Sequence, residues 1–251
     1  MTRFENKTVI VTGGAGGIGD AICRRFAAEG GTVWIIDTNS AAGNSLASSI
    51  ASQGQCAIFR HTDLTSPEAI SALVDEITSD GQTIDVVCNN AGIMRRGCLM
   101  ELSFEDWSLS FKVNVDALFH VCQAVIPRMQ NQGGGAIVNT ASQWGLHPAP
   151  GHIAYNTTKA AVVAFTQNLA RDYAKDKIRV NAVAPGEVRT PMLETNLSRT
   201  GRSLADLNSL VPYGRIGEPD EIAALVAFLA SDEAGYLCGS VVEITGAQAV
   251  A

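Results

Sequence analysis

Residues 7–20 read Lys-Thr-Val-Ile-Val-Thr-Gly-Gly-Ala-Gly-Gly-Ile-Gly-Asp, and this stretch decides the fold of the chain. The β-branched run 7–12 predicts a strand buried on both faces, because its apolar residues are continuous rather than alternating. A glycine-rich turn follows, and the pattern of residues 20–29 then predicts a helix. Glycines let a backbone approach a pyrophosphate, and the free N–H groups of a helix N-terminus face it. The stretch therefore predicts a nucleotide-binding turn.

Two glycine patterns fit this turn. Gly14, Gly16 and Gly19 match G-x-G-x-x-G, while Gly13, Gly17 and Gly19 match G-x-x-x-G-x-G. A flexible loop is the alternative explanation for so many glycines. The strand before the turn and the helix after it supply the context that nucleotide binding requires.

A second predicted strand, residues 32–37, ends in Asp37. An acid at this place can bind the ribose hydroxyls of an adenosine and repel a 2′-phosphate. Residues 13–19 and 38–40 contain no Lys or Arg that would neutralise such a phosphate. The sequence therefore favours NAD over NADP, although a turn aspartate at a strand end is the alternative.

Strands and helices alternate along the rest of the chain without a linker or repeat. Further buried strands are predicted at residues 55–60, 84–89, 136–139 and 178–182. Ser66 followed by Pro67 predicts a helix start with a serine N-cap. Repeated strand–helix units predict one α/β domain over residues 1–251, a Rossmann-like doubly wound parallel sheet with helices on both faces.

Tyr155 and Lys159 lie four residues apart in a predicted helix, residues 154–172, and therefore share a face. A free tyrosine titrates at a pKa of about 10. A lysine charge about 4 Å away would favour the phenolate by roughly 4 kcal/mol at an effective dielectric of about 20. We therefore expect Tyr155 to act as an acid/base near neutral pH. A surface pair is the alternative for so common a spacing.

Composition limits the partners of this chain. It has 251 residues, a hydrophobic content of 46% and a formal net charge of −7. The acidic balance argues against nucleic acid and anionic membranes. We predict no 18-residue apolar run and no signal peptide, and hence a cytoplasmic protein without a membrane partner. The six cysteines are expected to be core thiols, and the histidine spacing predicts no metal site.

These motifs together resemble the short-chain dehydrogenase/reductase family over nearly the whole chain. The matching residues are Thr12-Gly13-x-x-x-Gly17-x-Gly19, Asp63-Leu64, Asn89-Asn90-Ala91-Gly92, Asn114, Ser142, Tyr155-x-x-x-Lys159, Pro185-Gly186 and Thr190-Pro191-Met192. The resemblance implies an NAD-dependent enzyme that interconverts a secondary alcohol and a ketone by hydride transfer. Residues 240–251 depart from the family, many of whose members end in Asp-Gly-Gly after the last strand, so their contribution to the pocket stays open.

The resemblance also implies a role for each matching residue. Tyr155 would be the acid/base, and Lys159 would lower its pKa and bind the ribose. Ser142 would orient the substrate, and Asn114 would support a proton relay to solvent. The remaining cofactor contacts would be Gly13, Gly17, Ile18, Gly19, Asp37, Asp63, Leu64, Asn90, Ala91, Gly92, Pro185, Gly186, Val188 and Thr190, together with Tyr155 and Lys159 themselves.

The substrate pocket is expected to be shaped by residues 93–99, 143–152 and 190–213, the last forming a helical lid. The candidate substrate contacts are Arg95, Ser142, Trp144, His152, Tyr155 and Glu187. Arg95 could bind a carboxylate or phosphate, or it could be a solvated surface cation. The polar groups favour a polyol, a sugar or a sugar acid over a steroid.

Other functions stay open at this point. The chain could be a 3-oxoacyl-carrier-protein reductase, a cyclic-alcohol or steroid dehydrogenase, or a non-catalytic NAD-binding sensor. The acidic balance and Asp37 argue against the first, and intact Asn, Ser, Tyr and Lys residues argue against the sensor. The family commonly pairs helices between subunits, and the apolar residues 113–129 and 157–173 fit this, so we expect a homotetramer or else a dimer.

Overall fold

The computed structural model describes residues 2–79, 81–191, 193–194, 197, 201 and 203–248. Within these ranges, seven parallel strands form one sheet in the order β3-β2-β1-β4-β5-β6-β7. The strands are β1 Thr8–Thr12, β2 Thr32–Asp37, β3 Ala57–His61, β4 Val86–Asn89, β5 Gly135–Thr140, β6 Ile178–Pro185 and β7 Val241–Ile244. The strand order reverses between β1 and β4, and sheets of this kind bind ligands at that point.

Helices cover both faces of the sheet. They are α1 Gly17–Ala28, α2 Ser40–Ala51, α3 Pro67–Thr78, α4 Phe104–Phe111, α5 Ala117–Gln132, α6 Gln143–Leu146, α7 Ile153–Tyr173, α8 Leu204–Asn208 and α9 Pro219–Ala230. A π-helical turn, Lys112–Asp116, joins α4 to α5, and short 3₁₀ turns span Ala174–Asp176 and Asp232–Ala234. The predicted doubly wound α/β fold is therefore confirmed.

Two apolar clusters sandwich the sheet. One packs α1, α2 and α9 against the first face, and the other packs α3, α5 and α7 against the second. Along β1, Val9 and Val11 enter the first cluster and Ile10 enters the second. This confirms the predicted burial of the first strand on both faces, where each large aliphatic side chain contributes about 1.5–3 kcal/mol.

Element boundaries differ from the predictions at strand ends. β6 runs on to Pro185, which pairs with Ile244 at the last register position, where a missing N–H is tolerated. Ser66 accepts a hydrogen bond from the Ala69 N–H and Pro67 opens α3, as predicted.

The cysteines only partly follow the prediction of core thiols. Cys23, Cys88 and Cys122 are buried, and burial raises the pKa of each thiol. The remaining three are exposed: Cys56, Cys98 and Cys238. These lie at strand edges and in loops, where an apolar neighbourhood in sequence does not imply burial.

One helix among the described residues, Phe104–Gln132, is long and apolar enough by composition to cross a membrane, with a hydropathy of 1.2 over its best window. Its sequence is interrupted by polar residues such as Lys112, Asp116 and Gln123, so it is not the uninterrupted 18-residue apolar run that the prediction excluded. The helix nevertheless packs on the sheet through Leu118, Val121 and Val125, as core helices do. Because 44% of that window is buried, part of the apolar surface lies outside the core.

The described residues of the segment 190–213 are helical only in part, because Gly201 and residues 209–213 form turns and bends. Pro191, residues 193–194 and Leu197 are helical, and α8 follows. Leu197 packs with Leu207, Val211 and Ile216 in a separate small apolar cluster. Met192 and residues 195–196, 198–200 and 202 lie outside the described residues.

Arg179 on β6 closes the C-terminal end of α9. Its two terminal nitrogens donate to four backbone carbonyl oxygens, those of Leu229, Ala230, Ser231 and Ala234, at 2.7–3.2 Å. The carbonyls of Leu229 and Ala230 lie in the last turn of α9, where the helix supplies no donors. Those of Ser231 and Ala234 also accept the backbone N–H groups of Ala234 and Leu237. A cation also complements the negative end of the helix dipole.

Replacing Arg179 with methionine should lower the free energy of unfolding by about 2–3 kcal/mol, because hydrogen bonds to charged groups contribute about 1.5–3 kcal/mol. Urea denaturation measures the change. The exposed Arg171 on α7 provides a matched control, and Arg171→Met should cost less than about 0.5 kcal/mol. Equal losses in the two variants would contradict the assigned role.

Candidate active site

The glycine turn after β1 requires glycine at several positions. Gly13 and Gly17 have φ angles of +62° and +55°, in the left-handed region that favours glycine. A Cβ on Gly13 would lie 2.7 Å from Cα of Ala91, and one on Gly19 would collide with the Gly13 carbonyl. The backbone therefore forms a smooth cradle at the N-terminus of α1. The pattern with Gly13, Gly17 and Gly19 describes this geometry.

The turn after β4, residues 89–92, is tied to the glycine turn. The Thr12 hydroxyl accepts hydrogen bonds from the backbone N–H groups of Asn90 (3.0 Å) and Ala91 (3.2 Å). The Asn90 amide donates to the Gly13 carbonyl at 3.1 Å. These bonds place the predicted motif Asn90-Ala91-Gly92 directly beside the cradle.

Asp37 reaches the same cradle from the end of β2. Its carboxylate accepts the N–H of Ala15 at 3.1 Å and the N–H of Asn39 at 2.9 Å. Asp63 lies beyond β3, where it is exposed, and the hydrogen bond from the Thr65 N–H lowers its pKa. Leu64, beside it, lines a small cavity next to the 89–92 turn. The structure thus brings these predicted residues to one end of the sheet.

Asn114 lies in the π-helical turn and is buried, with 3% exposure. Its amide oxygen accepts the Ile93 N–H at 2.8 Å, and its NH₂ group donates to the Ile93 carbonyl and to the Thr158 hydroxyl. Asn114 is therefore not a solvated amide on the surface of a helix. The side chain clamps the chain after the 89–92 turn against α7.

Lys159 is buried, with 4% exposure, and its Nζ donates to the Thr140 carbonyl at 2.7 Å. Burial lowers the pKa of Lys159 from 10.5 to about 8. A Cβ on Gly92 would lie 3.4 Å from this Nζ. A cavity of about 10 Å³ lies between Lys159, Asn114 and Thr140. The ammonium therefore faces the cradle and is still charged at neutral pH.

Tyr155 lies on the same face of α7, with the Lys159 Nζ 5.8 Å from its ring centroid. Burial raises the pKa of Tyr155, a hydrogen bond with the Ser142 hydroxyl lowers it, and the charge of Glu187 raises it. The predicted titration of Tyr155 near neutral pH is therefore wrong for this structure. The ammonium bonds a carbonyl rather than the phenol, and desolvation disfavours the phenolate.

An aromatic wall stands beside the phenol. The Trp144 ring lies 4.6 Å from the His152 ring and 6.0 Å from the Tyr155 ring, measured between centroids. Nδ1 of His152 lies 2.8 Å from the Pro150 carbonyl, so in this geometry Nδ1 carries a proton. Burial lowers the pKa of His152, which favours the neutral ring. Nε2 is buried and has no partner among the described residues.

Arg95 is predicted to contact the substrate, but in the structure it pairs with another residue of the protein. Its Nε lies 2.9 Å from Oδ1 of Asp106 on α4. Both side chains are more than 40% exposed, so the pair contributes little to stability. The Arg95 guanidinium already has the Asp106 carboxylate as its partner. This favours the interpretation of Arg95 as a solvated surface cation.

The loop after β6 completes the site. The Gly186 N–H donates to the Ile244 carbonyl, and Val188 is buried and bridges to Gly217. The Thr190 side chain faces the cradle, with its Cγ2 3.4 Å from a Cβ built on Gly17. The predicted loop and the glycine turn therefore meet across the carboxyl ends of the strands.

Two contributors to the site escaped the sequence analysis. The Thr140 carbonyl that holds Lys159 is backbone, and no side-chain pattern reports it. Gln248 bonds Gln143 and the Glu187 N–H from the C-terminal segment. Its only signal was the departure of residues 240–251 from the family ending.

The chain is similar to known proteins along nearly its whole length. The profile of the family described as enoyl-(acyl carrier protein) reductase matches residues 13–246. The 3-oxoacyl-(acyl-carrier-protein) reductase FabG of Chlamydia trachomatis is 39% identical over 97% of this chain and 98% of the relative. Cyclopentanol dehydrogenase of a Comamonas species is 39% identical over 98% of each chain. L-Sorbose reductase from Gluconobacter frateurii, solved with NADPH and L-sorbose, is 30% identical with a TM-score of 0.93, over 99% of this chain and 98% of that one.

The buried ammonium predicts a pH-dependent stability. Because the folded pKa of Lys159 is about 8 and its ordinary value is 10.5, the unfolded chain binds more protons between these values. Wild-type stability relative to Lys159→Met should therefore rise as the pH increases from 8 to 10.5. Urea unfolding at stepped pH measures the difference. The exposed Lys175→Met variant is the control, and the same trend in both variants would refute the assignment.

Proposed function

We propose that this chain, which belongs to the short-chain dehydrogenase/reductase family of oxidoreductases, interconverts a secondary alcohol and a ketone with NAD as the hydride carrier. One observation carries the proposal. Tyr155, hydrogen-bonded to Ser142, and the buried Lys159 meet beside a glycine cradle at the carboxyl ends of the strands. A phenol, a hydroxyl and an ammonium at one point are suited to moving a proton at a substrate oxygen.

The residues of the cradle fit a nicotinamide dinucleotide. The turn packs so closely that a Cβ at Gly13 or Gly19 would collide with neighbouring backbone, and the N-terminus of α1 directs its N–H groups to the same place. When bound, this cofactor accepts or donates the hydride. The residues proposed to hold it are Gly13, Gly17, Ile18, Gly19, Asp37, Asp63, Leu64, Asn90, Ala91, Gly92, Tyr155, Lys159, Pro185, Gly186, Val188 and Thr190.

Tyr155 is the proposed acid/base. The raised pKa keeps it a phenol, which suits donation of a proton to a carbonyl oxygen in the reductive direction. Oxidation of an alcohol requires the phenolate, and the Lys159 charge favours that form as it develops. Ser142 holds the substrate oxygen in place. The cavity between Asn114 and Lys159 has about the volume that one water occupies, which supports a proton relay at this point.

Asp37 supports NAD rather than NADP. Its carboxylate lies on the glycine turn through Ala15, so a phosphate on the neighbouring ribose would meet a like charge. Its two hydrogen bonds to backbone N–H groups hold the carboxylate in that place. The L-sorbose reductase was solved with NADPH, so family membership alone does not decide between the two cofactors.

The substrate is proposed to be a polyol, a sugar or a sugar acid. Trp144 offers a ring face, His152 an acceptor nitrogen, and Glu187 a carboxylate whose charge reaches Tyr155. Acceptor groups around a catalytic phenol select substrates with further hydroxyl donors. Similarity to an enzyme that binds L-sorbose supports this class.

A second candidate is a 3-oxoacyl-carrier-protein reductase, which the 39% identity to FabG favours. The net charge of −7 and the position of Asp37 speak against it, because a carrier protein needs a basic docking surface and the reductase normally prefers NADP. A cyclic-alcohol dehydrogenase has equal support from the Comamonas relative.

We also propose a homotetramer, with a dimer as the alternative. Phe104 and Phe119 on the long apolar helix are 76% and 46% exposed, although its other face packs on the sheet. Large exposed apolar side chains on one helix are typical of a subunit interface.

The single domain, its cytoplasmic location and the closing of the lid stay predictions.

Activity with a substrate panel tests the proposal. Purified protein with NAD should form NADH with polyols, sugars or sugar acids, and more slowly with cyclic alcohols and hydroxyacyl thioesters. Tyr155→Phe should lower kcat by about 10²–10⁴-fold because it removes the proton carrier, while NADH affinity stays the same. Tyr173→Phe, at the end of the same helix, is the control. Tight NADH binding without turnover of any panel member would favour a sensor instead.

Asp37→Ala tests the cofactor preference. Removal of one like-charge contact, worth about 1.4 kcal/mol or more, should reduce the ratio of kcat/KM for NAD over NADP by about tenfold or more. The comparison uses one substrate with both cofactors. Asp172→Ala, an exposed acid on α7, should leave the ratio unchanged. An unaltered ratio in Asp37→Ala would remove the proposed role.

A further inference from the structure

The C-terminal segment, residues 245–248, folds back over the candidate active site. Gly246 and Ala247 both have a φ of +62°, so the chain reverses just after β7. The Gly246 carbonyl accepts the Tyr213 N–H at 3.1 Å, which ties the segment to the end of the predicted lid. The Gln248 N–H closes the turn on the Thr245 carbonyl at 3.1 Å. The reversal brings the Gln248 side chain between two loops of the site.

Gln248 joins those loops through a single oxygen. Its Oε1 accepts the Glu187 N–H at 3.3 Å and the Gln143 NH₂ group at 3.0 Å. A backbone N–H can only donate, so the Gln248 atom that faces Glu187 must be the oxygen. Gln143 is then obliged to turn its nitrogen towards the same atom. The orientation of both amides follows from one backbone contact.

The two loops carry different parts of the proposed chemistry. Gln143 is 2% exposed and directly follows Ser142, whereas Glu187 follows the turn Pro185-Gly186. A Cβ on Gly186 would lie 3.2 Å from the Gln248 oxygen and 3.0 Å from Cα of Thr245. The C-terminal segment therefore packs directly on the backbone of this turn.

We propose that Gln248 is a positioning residue, which holds the Glu187 turn and the Ser142 loop at a fixed separation around Tyr155. The effect on catalysis rests on the proposed function, whereas the positioning of the two loops by Gln248 does not. Glu187 acts on Tyr155 through its charge, and that action depends on where the turn lies. The atypical C-terminal sequence thereby gains a role in setting the geometry of the site.

Hydrogen exchange tests the positioning without requiring turnover. Gln248→Met keeps the side-chain volume but removes the acceptor, so the Glu187 amide should exchange about five- to tenfold faster in a peptide spanning residues 184–190. Gln248→Glu keeps an oxygen acceptor and should retain the protection. Gln53→Met, an exposed glutamine after α2, is the matched control. Unchanged exchange in Gln248→Met would overturn the proposal.

Kinetics separate positioning from a general structural effect. Gln248→Met should lower kcat/KM by about tenfold in the wild-type background and by a clearly smaller factor in the Glu187→Gln background, where only the positioning of the Ser142 loop is left to lose. Equal losses in both backgrounds would contradict action through Glu187. If the wild type turns over no panel member, the proposed function fails, and hydrogen exchange alone decides the positioning.

Discussion

The close contact between Gly13 and Ala91 is the constraint on which the rest of the site depends. No Cβ fits at Gly13, and the Thr12 hydroxyl binds both N–H groups of the neighbouring turn. β1 and β4 are therefore locked together where the strand order reverses. This contact between the ends of β1 and β4 positions the glycine turn, the Lys159 ammonium and the Tyr155 phenol. The Gly13–Ala91 contact itself involves backbone atoms, so no change of rotamer can open it.

Polar groups in this site are held chiefly by backbone atoms. Lys159 bonds a carbonyl, Asn114 clamps Ile93, and Asp37 accepts two N–H groups. Such partners lie in sheet ends and turns that the core already fixes in place. Lys159 is therefore a buried cation with no carboxylate partner among the residues that the structure describes, and the cost appears in its lowered pKa. The buried Lys159 ammonium therefore lowers the stability of the fold, although the proposed chemistry needs it.

The fold could be predicted well from the sequence. Strands that are buried on both faces of the sheet have continuous apolar runs, and the tight turns after them require glycine. The strands from β1 to β6 and the helix around Tyr155 follow from these patterns. The pKa direction of Tyr155 did not follow, because spacing along a helix says nothing about which acceptor a lysine chooses. Burial of Asn114 also depends on a distant backbone partner, Ile93. Long-range pairing of this kind leaves no local signature.

The strand order also constrains when the cradle can exist. β1 pairs with β4, so residues 8–12 must find residues 86–89 across two intervening strand–helix units. Closing so long a loop before parallel pairing can begin is entropically costly and slow. During synthesis, the first strand emerges with one edge unpaired until residue 89 leaves the ribosome. Until then, the N-terminal part of the chain can rely only on pairing among β1, β2 and β3.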